Sequence, residues 1–424
     1  MRPFQLVVFG ASGFTGQRIV ENLAQFLKCS PTTRLKWAVC GRSPDKVRKM
    51  LDQVSLRSGI DVTGTDILTA SLEKRSSLVQ MASATEIVMN CTGPFRVTGE
   101  QVVAACVESS TNYIDIAGEP QFMEQTQLNW HKAARDKHIY VIPGSGTDCI
   151  PCDCGVNYLR DQFDGKLNAV QILLATSSSK TMTANVTTWY SLVDGIGDAR
   201  SLISIRKQLF RDVLLGAPSR PKFDHPLRPL ATFSKYSDST HSGYIIPFKG
   251  ADPSVLKRSQ AHNQILYNEQ PVDTRVYQLM GLRSTVSFAW LALWLRSLSN
   301  TEIGRRILKK YPEFFSAGIM SRKGPSEKEL QEFKSTFTLA GQGWRTGSDE
   351  TKPPTYWETV RLTGPHGGYP FCAIVINQAV MTMLEERDRL PGEGGVFTPG
   401  TAFRRTTIID RLARNGIEVT VEKT

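Results

Sequence analysis

Three glycines, Gly10, Gly13 and Gly16, stand three residues apart where the apolar run "FQLVVF" meets "TGQRIVENLAQFL". Glycines so spaced permit a tight turn, let a pyrophosphate approach the backbone and let a helix pack closely on a strand. The helix that begins there turns free N–H groups toward a phosphate. Ser12, Phe14 and Thr15 lie between these glycines and complete the candidate dinucleotide loop. A glycine turn alone could be empty of ligand; the strand before it and the helix after it select the binding reading. The second apolar run, "LKWAVC", leads to Arg42 and Ser43 rather than to the acid that usually binds a ribose 2′-hydroxyl. Arginine and serine suit a 2′-phosphate through charge-assisted hydrogen bonds. The expected cofactor is therefore NADP, with NAD as the alternative.

Nicotinamide chemistry also needs a proton, from a side chain or from water. Asp148, Glu119, Tyr244 and Tyr369 fall in or near loops that should line the site. Each has a plain structural alternative: an aspartate after a glycine turn often caps the next helix. Arg258 and Ser259 could hold a carbonyl or a phosphate, and a salt-bridged arginine is the competing explanation. Tyr244, Asp148 and Arg258 are the residues singled out for the chemistry. Cys149, Cys152 and Cys154 resemble half of a metal site. A structural zinc site takes four ligands, commonly from two such pairs; no second pair exists and the six histidines are scattered. No metal is expected.

The elements that must position these residues alternate. Phe4–Gly10 reads as a buried parallel strand, and Ile19, Val20, Leu23, Phe26 and Leu27 give the following helix an apolar face. Further strands are expected at Leu35–Cys40, Ile60–Thr65, Glu86–Cys91, Tyr113–Glu119 and Ile139–Gly146, with helices between them, including 97–108 and 121–137. Asp66 is expected to close the third strand near an adenine. The rhythm predicts an α/β fold: a doubly wound parallel sheet. Ligands bind beyond the carboxyl ends of such strands, so Thr92, Gly93, Pro94, Phe95, Gly118, Glu119 and the loop at 144–148 should line the site. After Ile150 the rhythm stops. A strand is expected at Val170–Thr176 and one helix over 187–210. A proline-broken basic loop follows at 217–229. Ser326 and Glu329 have capping-box spacing. The runs at 338–344, 356–364 and 373–386 complete the strands and a helix of an α+β domain. A short helix at 406–416 precedes a last strand, "IEVTVE".

"VVFGASGFTG", "NCTGPFRVTGE", "YIDIAGEPQF" and "GSGTDCIPCDCG" closely resemble the saccharopine dehydrogenase-like oxidoreductases of animals, relatives of saccharopine reductases and of bacterial trans-acting enoyl reductases. "GYIIPFKGADPSVLKRSQ", "AGQGW", "TGPHGGY" and "GGVFTPGTAF" extend the resemblance over nearly the whole chain. It implies three parts: a Rossmann domain (1–149), an α+β domain for substrate and dimer contacts (150–390), and a C-terminal segment returning to the first (391–424). It implies a reductase associated with lipid droplets or membranes, acting on a small-molecule or lipid-linked substrate, and it places Thr188, Trp189 and Ser191 near the active site. Thr147 and Cys149 stand where the family pattern has phenylalanine and serine.

The 424 residues carry a net charge of +11. The basic residues are spread out and no zinc-finger or RNP-type motif occurs, so nucleic acid is not an expected partner. Eight cysteines without a paired framework, and no signal peptide ahead of them, lead us to expect reduced thiols in a cytosol-facing compartment. No run reaches the 18 apolar residues of a spanning helix. One segment stands out: Val286–Leu295, inside "RSTVSFAWLALWLRS", is apolar at all but one position. As a helix it would reach only ~15 Å, half of a bilayer core of about 30 Å. Basic and aromatic residues follow it through Phe315. A lipid-surface anchor and a buried core or dimer segment are both open. The expected activity is an NADPH-dependent reduction of a hydrophobic enoyl-type substrate at a membrane or lipid-droplet surface. The alternatives are saccharopine reduction and a non-catalytic NADP-binding scaffold.

Overall fold

A computed structural model describes residues 2–176, 183–197, 199–237 and 241–423. The first 142 residues alternate as expected: β1 (Phe4–Phe9), α1 (Phe14–Cys29), β2 (Trp37–Gly41), α2 (Pro44–Ser58), β3 (Asp66–Thr69), α3 (Arg75–Ser83), β4 (Thr85–Asn90), α4 (Phe95–Glu108), β5 (Asn112–Asp115), α5 (Pro120–Asp136) and β6 (Tyr140–Ile142). Helix α6 (Ile150–Gln162) leads to the long strand β7 (Gly165–Thr176). A central region holds β8 (Ala184–Asn185), α7 (Val186–Gly197), α8 (Ala199–Asp212), β9 (Lys235–Ser237), β10 (Ser242–Pro247), α9 (Asp252–Tyr267) and β11 (Asp273–Met280). It continues through α10 (Leu282–Leu298), α11 (Glu302–Lys310), α12 (Pro312–Phe315), β12 (Met320–Ser321) and α13 (Glu327–Glu332). The chain ends with β13 (Ser335–Arg345), β14 (Tyr356–Gly364), a π-helical turn (Gly367–Phe371), α14 (Cys372–Glu385), β15 (Gly395–Val396), α15 (Pro399–Ala402), α16 (Ile408–Arg414) and β16 (Glu418–Lys423).

One sheet has the order β15-β6-β5-β4-β1-β2-β3 and is parallel throughout. Its strands read as continuous apolar runs because helices cover both faces; Leu6, Val7 and Val8 of β1 are fully buried. The order reverses between β1 and β4, which creates the crevice where a doubly wound sheet takes its ligand. The second sheet, β16-β14-β13-β7-β11-β10-β9, is antiparallel except for β7 beside β11. The short strands β8 and β12 pair separately.

Two sequence expectations need correction. The third strand is Asp66–Thr69, not Ile60–Thr65. That slip puts Asp66 at the amino end of β3, in a side cleft with Phe4, Lys36 and Trp37, on the wrong edge of the sheet for an adenine. The single helix expected over 187–210 is two helices, α7 and α8, flanking residue 198, which lies outside the described residues. The expected helix at the end of the second region, α14, packs against α1, where Asn377 donates to the Ile19 carbonyl at 3.1 Å and to Asn22 at 2.9 Å. Together with its π-helical lead-in, α14 is long and apolar enough to cross a bilayer, but 83% of it is buried inside the protein.

The two sheets share one core, and α6 is the wedge between them. Its residues Ile150, Val156 and Leu159 join a cluster that contains Leu6 and Val8 of the first sheet and Leu339 and Leu362 of the second. A Cβ on Gly155 would lie 2.9 Å from the Leu339 side chain, so the helix meets β13 at glycine contact. Asp153 of α6 accepts from the Ser259 hydroxyl and from the Gly400 N–H, both at 2.6 Å, and so ties α9 and α15 to the wedge. Strand β15 extends the first sheet and β16 the second, so the C-terminal segment fastens both.

Burial pushes the Asp153 carboxyl up to about 6. A carboxyl raised on folding stabilises the fold fully below its unfolded value and loses that contribution as pH rises through about 6. Urea midpoints should therefore fall between about pH 4 and pH 7 by more in wild type than in Asp153→Asn. An identical pH dependence in the two proteins would refute this.

Candidate active site

The loops at the carboxyl ends of the first sheet are held by one buried carboxylate. Asp115 Oδ1 accepts from the N–H groups of Ala117 and Gly144, at 2.8 and 2.7 Å. Its Oδ2 accepts from the Tyr113 hydroxyl at 2.7 Å, which accepts in turn from Asn90 Nδ2 at 3.1 Å. Asn90 Oδ1 receives the N–H and the hydroxyl of Thr92 at 3.0 and 2.6 Å. The loops after β4, β5 and β6 are thus linked through side chains that cannot reach water. Burial raises Asp115 to about 6 against the pull of these donors.

Above these loops runs a single cleft of about 2460 Å³. Gly10, Ser12, Gly13, Phe14 and Thr15 line one end. Gly10 has φ +83°, open to glycine at little cost. A Cβ on Gly16 would meet the Gly10 carbonyl at 2.4 Å; this glycine does not line the cleft but lets α1 start tight against the turn. Gly13 occupies the N-cap of α1 with no side-chain cap, and the first turn carries no acid. The free N–H groups and positive end of α1 therefore fit a diphosphate. Arg42 is exposed at the end of β2, lines the cleft, and has no ion-pair partner among the described residues. That fits a 2′-phosphate. Ser43 is used differently: its hydroxyl accepts from Lys46 N at 3.4 Å and caps α2.

Thr92, Gly93, Phe95 and Gly118 line the middle of the cleft, and Pro94 serves as the N-cap of α4. Glu119 also borders it, but its oxygens accept from the N–H groups of Phe95 and Arg96 at 2.8 and 3.2 Å and from the Ser191 hydroxyl at 2.8 Å. Glu119 thus stabilises the start of α4 and brings α7 to the cleft. Asp148 faces the cleft from the loop after β6, and its Oδ2 lies 2.6 Å from where a Gly118 Cβ would be. Its side chain opens to the cavity yet protein surrounds it on the other sides, and that burial raises its pKa. Tyr244 of β10 lines the opposite wall.

Arg258 is not at the cleft. It is 2% exposed and donates to Gln127 Oε1 at 2.8 Å between α9 and α5, so its assignment to the chemistry is corrected. Its neighbour Ser259 belongs to Asp153. Trp189 is fully buried and donates to the Leu308 carbonyl at 2.9 Å, whereas Thr188 and Ser191 line the cleft. All eight cysteines are free thiols, and burial raises Cys149, Cys152 and Cys154 well above the ordinary thiol range.

Sequence reasoning missed one cleft segment, and for a second, at Tyr369, it named the residue without its form. Residues 70–73, just after β3, line the cofactor end; the register slip at Asp66 hid them. The π-helical turn closes the cleft above the glycine loop. The Tyr369 ring meets the Phe14 ring at 4.7 Å, and its hydroxyl accepts from Asn185 N at 2.7 Å. Thr147 donates to the Gly367 carbonyl at 2.6 Å and locks this turn onto the Asp148 loop. "TGPHGGY" signalled the turn, and helical irregularities of this kind often sit at functional sites.

A parallel sheet with this order, a glycine turn and an uncapped helix start define a dinucleotide-binding oxidoreductase. Residues 6–142 match the saccharopine dehydrogenase NADP binding domain. The chain is 38% identical over 429 residues to the saccharopine dehydrogenase-like oxidoreductase of Homo sapiens, spanning 99% of this chain and 97% of that protein. It is 32% identical over 438 residues to the lipid droplet localized protein of Caenorhabditis elegans, with 100% and 99% covered. The apo saccharopine dehydrogenase (L-Glu forming) of Saccharomyces cerevisiae shares the fold, with TM-score 0.54 and 13% identity over 99% of this chain and 100% of that one. The protein belongs to the saccharopine dehydrogenase-like oxidoreductases and carries their NADP-binding domain.

Arg42→Ala should weaken NADPH binding by about tenfold to a hundredfold, the worth of a hydrogen bond to a charged group. NADH binding should not change. Calorimetry with both cofactors checks this, and equal losses would remove Arg42 from the 2′-phosphate site.

Proposed function

We propose that the protein reduces a hydrophobic, lipid-derived substrate with an unsaturated bond conjugated to a carbonyl, at a membrane or lipid-droplet surface. One observation carries the reading. The cleft that begins at the glycine loop continues without interruption along an apolar wall that includes Leu174, Ile246, Leu279, Phe288 and Leu291. A tricarboxylate such as saccharopine would call for clustered cations; besides Arg42, the cations along the cleft, Arg96, Lys235, Lys249 and Arg296, come from four separate segments, and this wall supplies hydrocarbon. The relative localized to lipid droplets agrees with a lipid substrate.

In this reading residues 1–149 hold the cofactor and 150–390 supply most of the substrate half. The Gly10–Gly16 turn and the α1 N-terminus would hold the diphosphate, and Arg42 would hold the 2′-phosphate. NADPH, when bound there, would supply the hydride that the β-carbon of the conjugated system needs. Asp148 supplies the matching proton to the α-carbon and regains one from solvent through the open cleft. The protein around its carboxyl raises its pKa, which favours the protonated donor form. Tyr244 closes the far side over the reacting atoms. The apolar wall excludes water and aligns the chain.

The test is NADPH oxidation, followed optically, with α,β-unsaturated acyl esters. Asp148→Asn should lower kcat by roughly 10²- to 10⁴-fold, the usual worth of a positioned acid, with NADPH affinity unchanged. Wild-type activity should fall as pH rises through the Asp148 pKa, because the acid form is the donor, and the variant should lose that dependence. Turnover of glutamate with aminoadipate semialdehyde, and none of acyl esters, would overturn the proposal.

A further inference from the structure

Helix α10 presents three faces. At about 100° per residue, Leu291 and Leu295 turn inward, where they border the cleft and pack into a small core with Trp189, Val193, Leu308 and Phe315. Phe288, Ala289 and Ala292 line the cleft. Leu282, Val286 and Leu293 face outward and are 61%, 62% and 56% exposed. The cleft face and the outward face adjoin, so apolar surface is continuous around the helix from solvent to the cleft wall.

The outward face does not end at α10. Ile303, Ile307, Tyr311 and Phe314, on or beside α11 and α12, are exposed too. The Trp290 indole N–H donates to the Phe314 carbonyl at 3.3 Å, and the two rings stand 6.1 Å apart, which joins the two parts. Exposed apolar surface on this scale marks an interaction site. Its charge selects the partner. From Leu282 to Phe315 there are six basic residues, Arg283, Arg296, Arg305, Arg306, Lys309 and Lys310, against Glu302 and Glu313. Arg283 and Arg296, near the two ends of α10, have no ion-pair partner among the described residues, and Arg296 also borders the cleft. A two-fold contact with a second copy would set this basic unit against itself. Anionic headgroups would neutralise it, with the tryptophan and tyrosine at headgroup depth.

We propose that the outward face of α10–α12 seats on a lipid surface bearing anionic headgroups, and that α10 forms the mouth through which an acyl chain slides from that surface into the cleft. The mouth rests on the reading of the cleft as a lipid-substrate site; the seat does not. A lipid taken up through water would expose every methylene on the way, and one drawn along α10 would stay on apolar surface throughout.

The full chain should sediment with phosphatidylcholine vesicles that contain phosphatidylserine, and weakly with phosphatidylcholine alone. Val286→Ser with Leu293→Ser should cut partitioning about tenfold or more, and so should Arg283→Glu with Arg296→Glu. The thermal midpoint should hold, because these side chains are exposed. Ala292→Trp should leave vesicle and NADPH binding intact and weaken binding of a pyrene-labelled fatty acid about tenfold. Vesicle binding that is absent, or unaffected by both double variants, would overturn the seat. So would a dimer in ultracentrifugation that Val286→Ser with Leu293→Ser dissociates. Unchanged pyrene-acid binding in Ala292→Trp would overturn the mouth alone. Wild type that binds vesicles but not NADPH would overturn the reductase reading and leave the seat standing.

Discussion

The site depends on one buried carboxylate that is never exposed to a ligand. Asp115 receives Tyr113, Ala117 and Gly144, and through Tyr113 and Asn90 it reaches Thr92. Three separate loops of a parallel sheet have no backbone ladder to hold them in register beyond their strands. A shared acceptor does that work at low dielectric, where each hydrogen bond is strong and each missing one is costly. Gly118 and Asp148 can then approach to glycine distance. Truncating Asp115 would leave its donors unpaired in the interior, so the cleft floor and the stability of the first sheet fail together.

The second constraint is the wedge. Helix α6 is buried on both sides, against the first sheet and against β13 and β14. A helix placed so must be apolar nearly all round, and "IPCDCGVNYL" meets that demand with small residues and buried thiols set among Ile150, Val156 and Leu159. The exception, Asp153, is fully enclosed and paired to Ser259 and Gly400. Fixing α6 fixes the angle between the sheets, and the cleft lies where they diverge. The paired cysteine spacing, which resembles half a metal site, is explained by the tight packing of this helix.

The proposed substrate class rests on the wall opposite the cofactor end. The glycine turn sees only phosphates and backbone, and the same turn serves many reactions. What narrows the chemistry is the continuity of apolar surface from Ile246 and Leu279 to Phe288 and Leu291. The apolar segment Val286–Leu295 divides between two faces: its inner residues build a core with Trp189 and Phe315, and its outer residues stay exposed.

Local chemistry was legible in the residues themselves. The Gly10–Gly16 spacing, the absence of an acid at Arg42, the strand–helix alternation and the capping box at Ser326 with Glu329 all act over a few residues, so the sequence by itself determined the α/β class, the cofactor end of the site and the family. Boundaries failed where two short apolar runs competed, as at Asp66. The place of Arg258, the packing of α14 on α1 and the π-helical form of the turn at Tyr369 were decided only by tertiary structure. A buried arginine beside a serine looks the same in sequence whether it faces a cleft or Gln127. Which strand-end loops share Asp115, which helix becomes the wedge, and which face of α10 meets the cleft depend on contacts between residues far apart in the chain. No local pattern encodes those contacts, because each is fixed by the packing of both sheets at once.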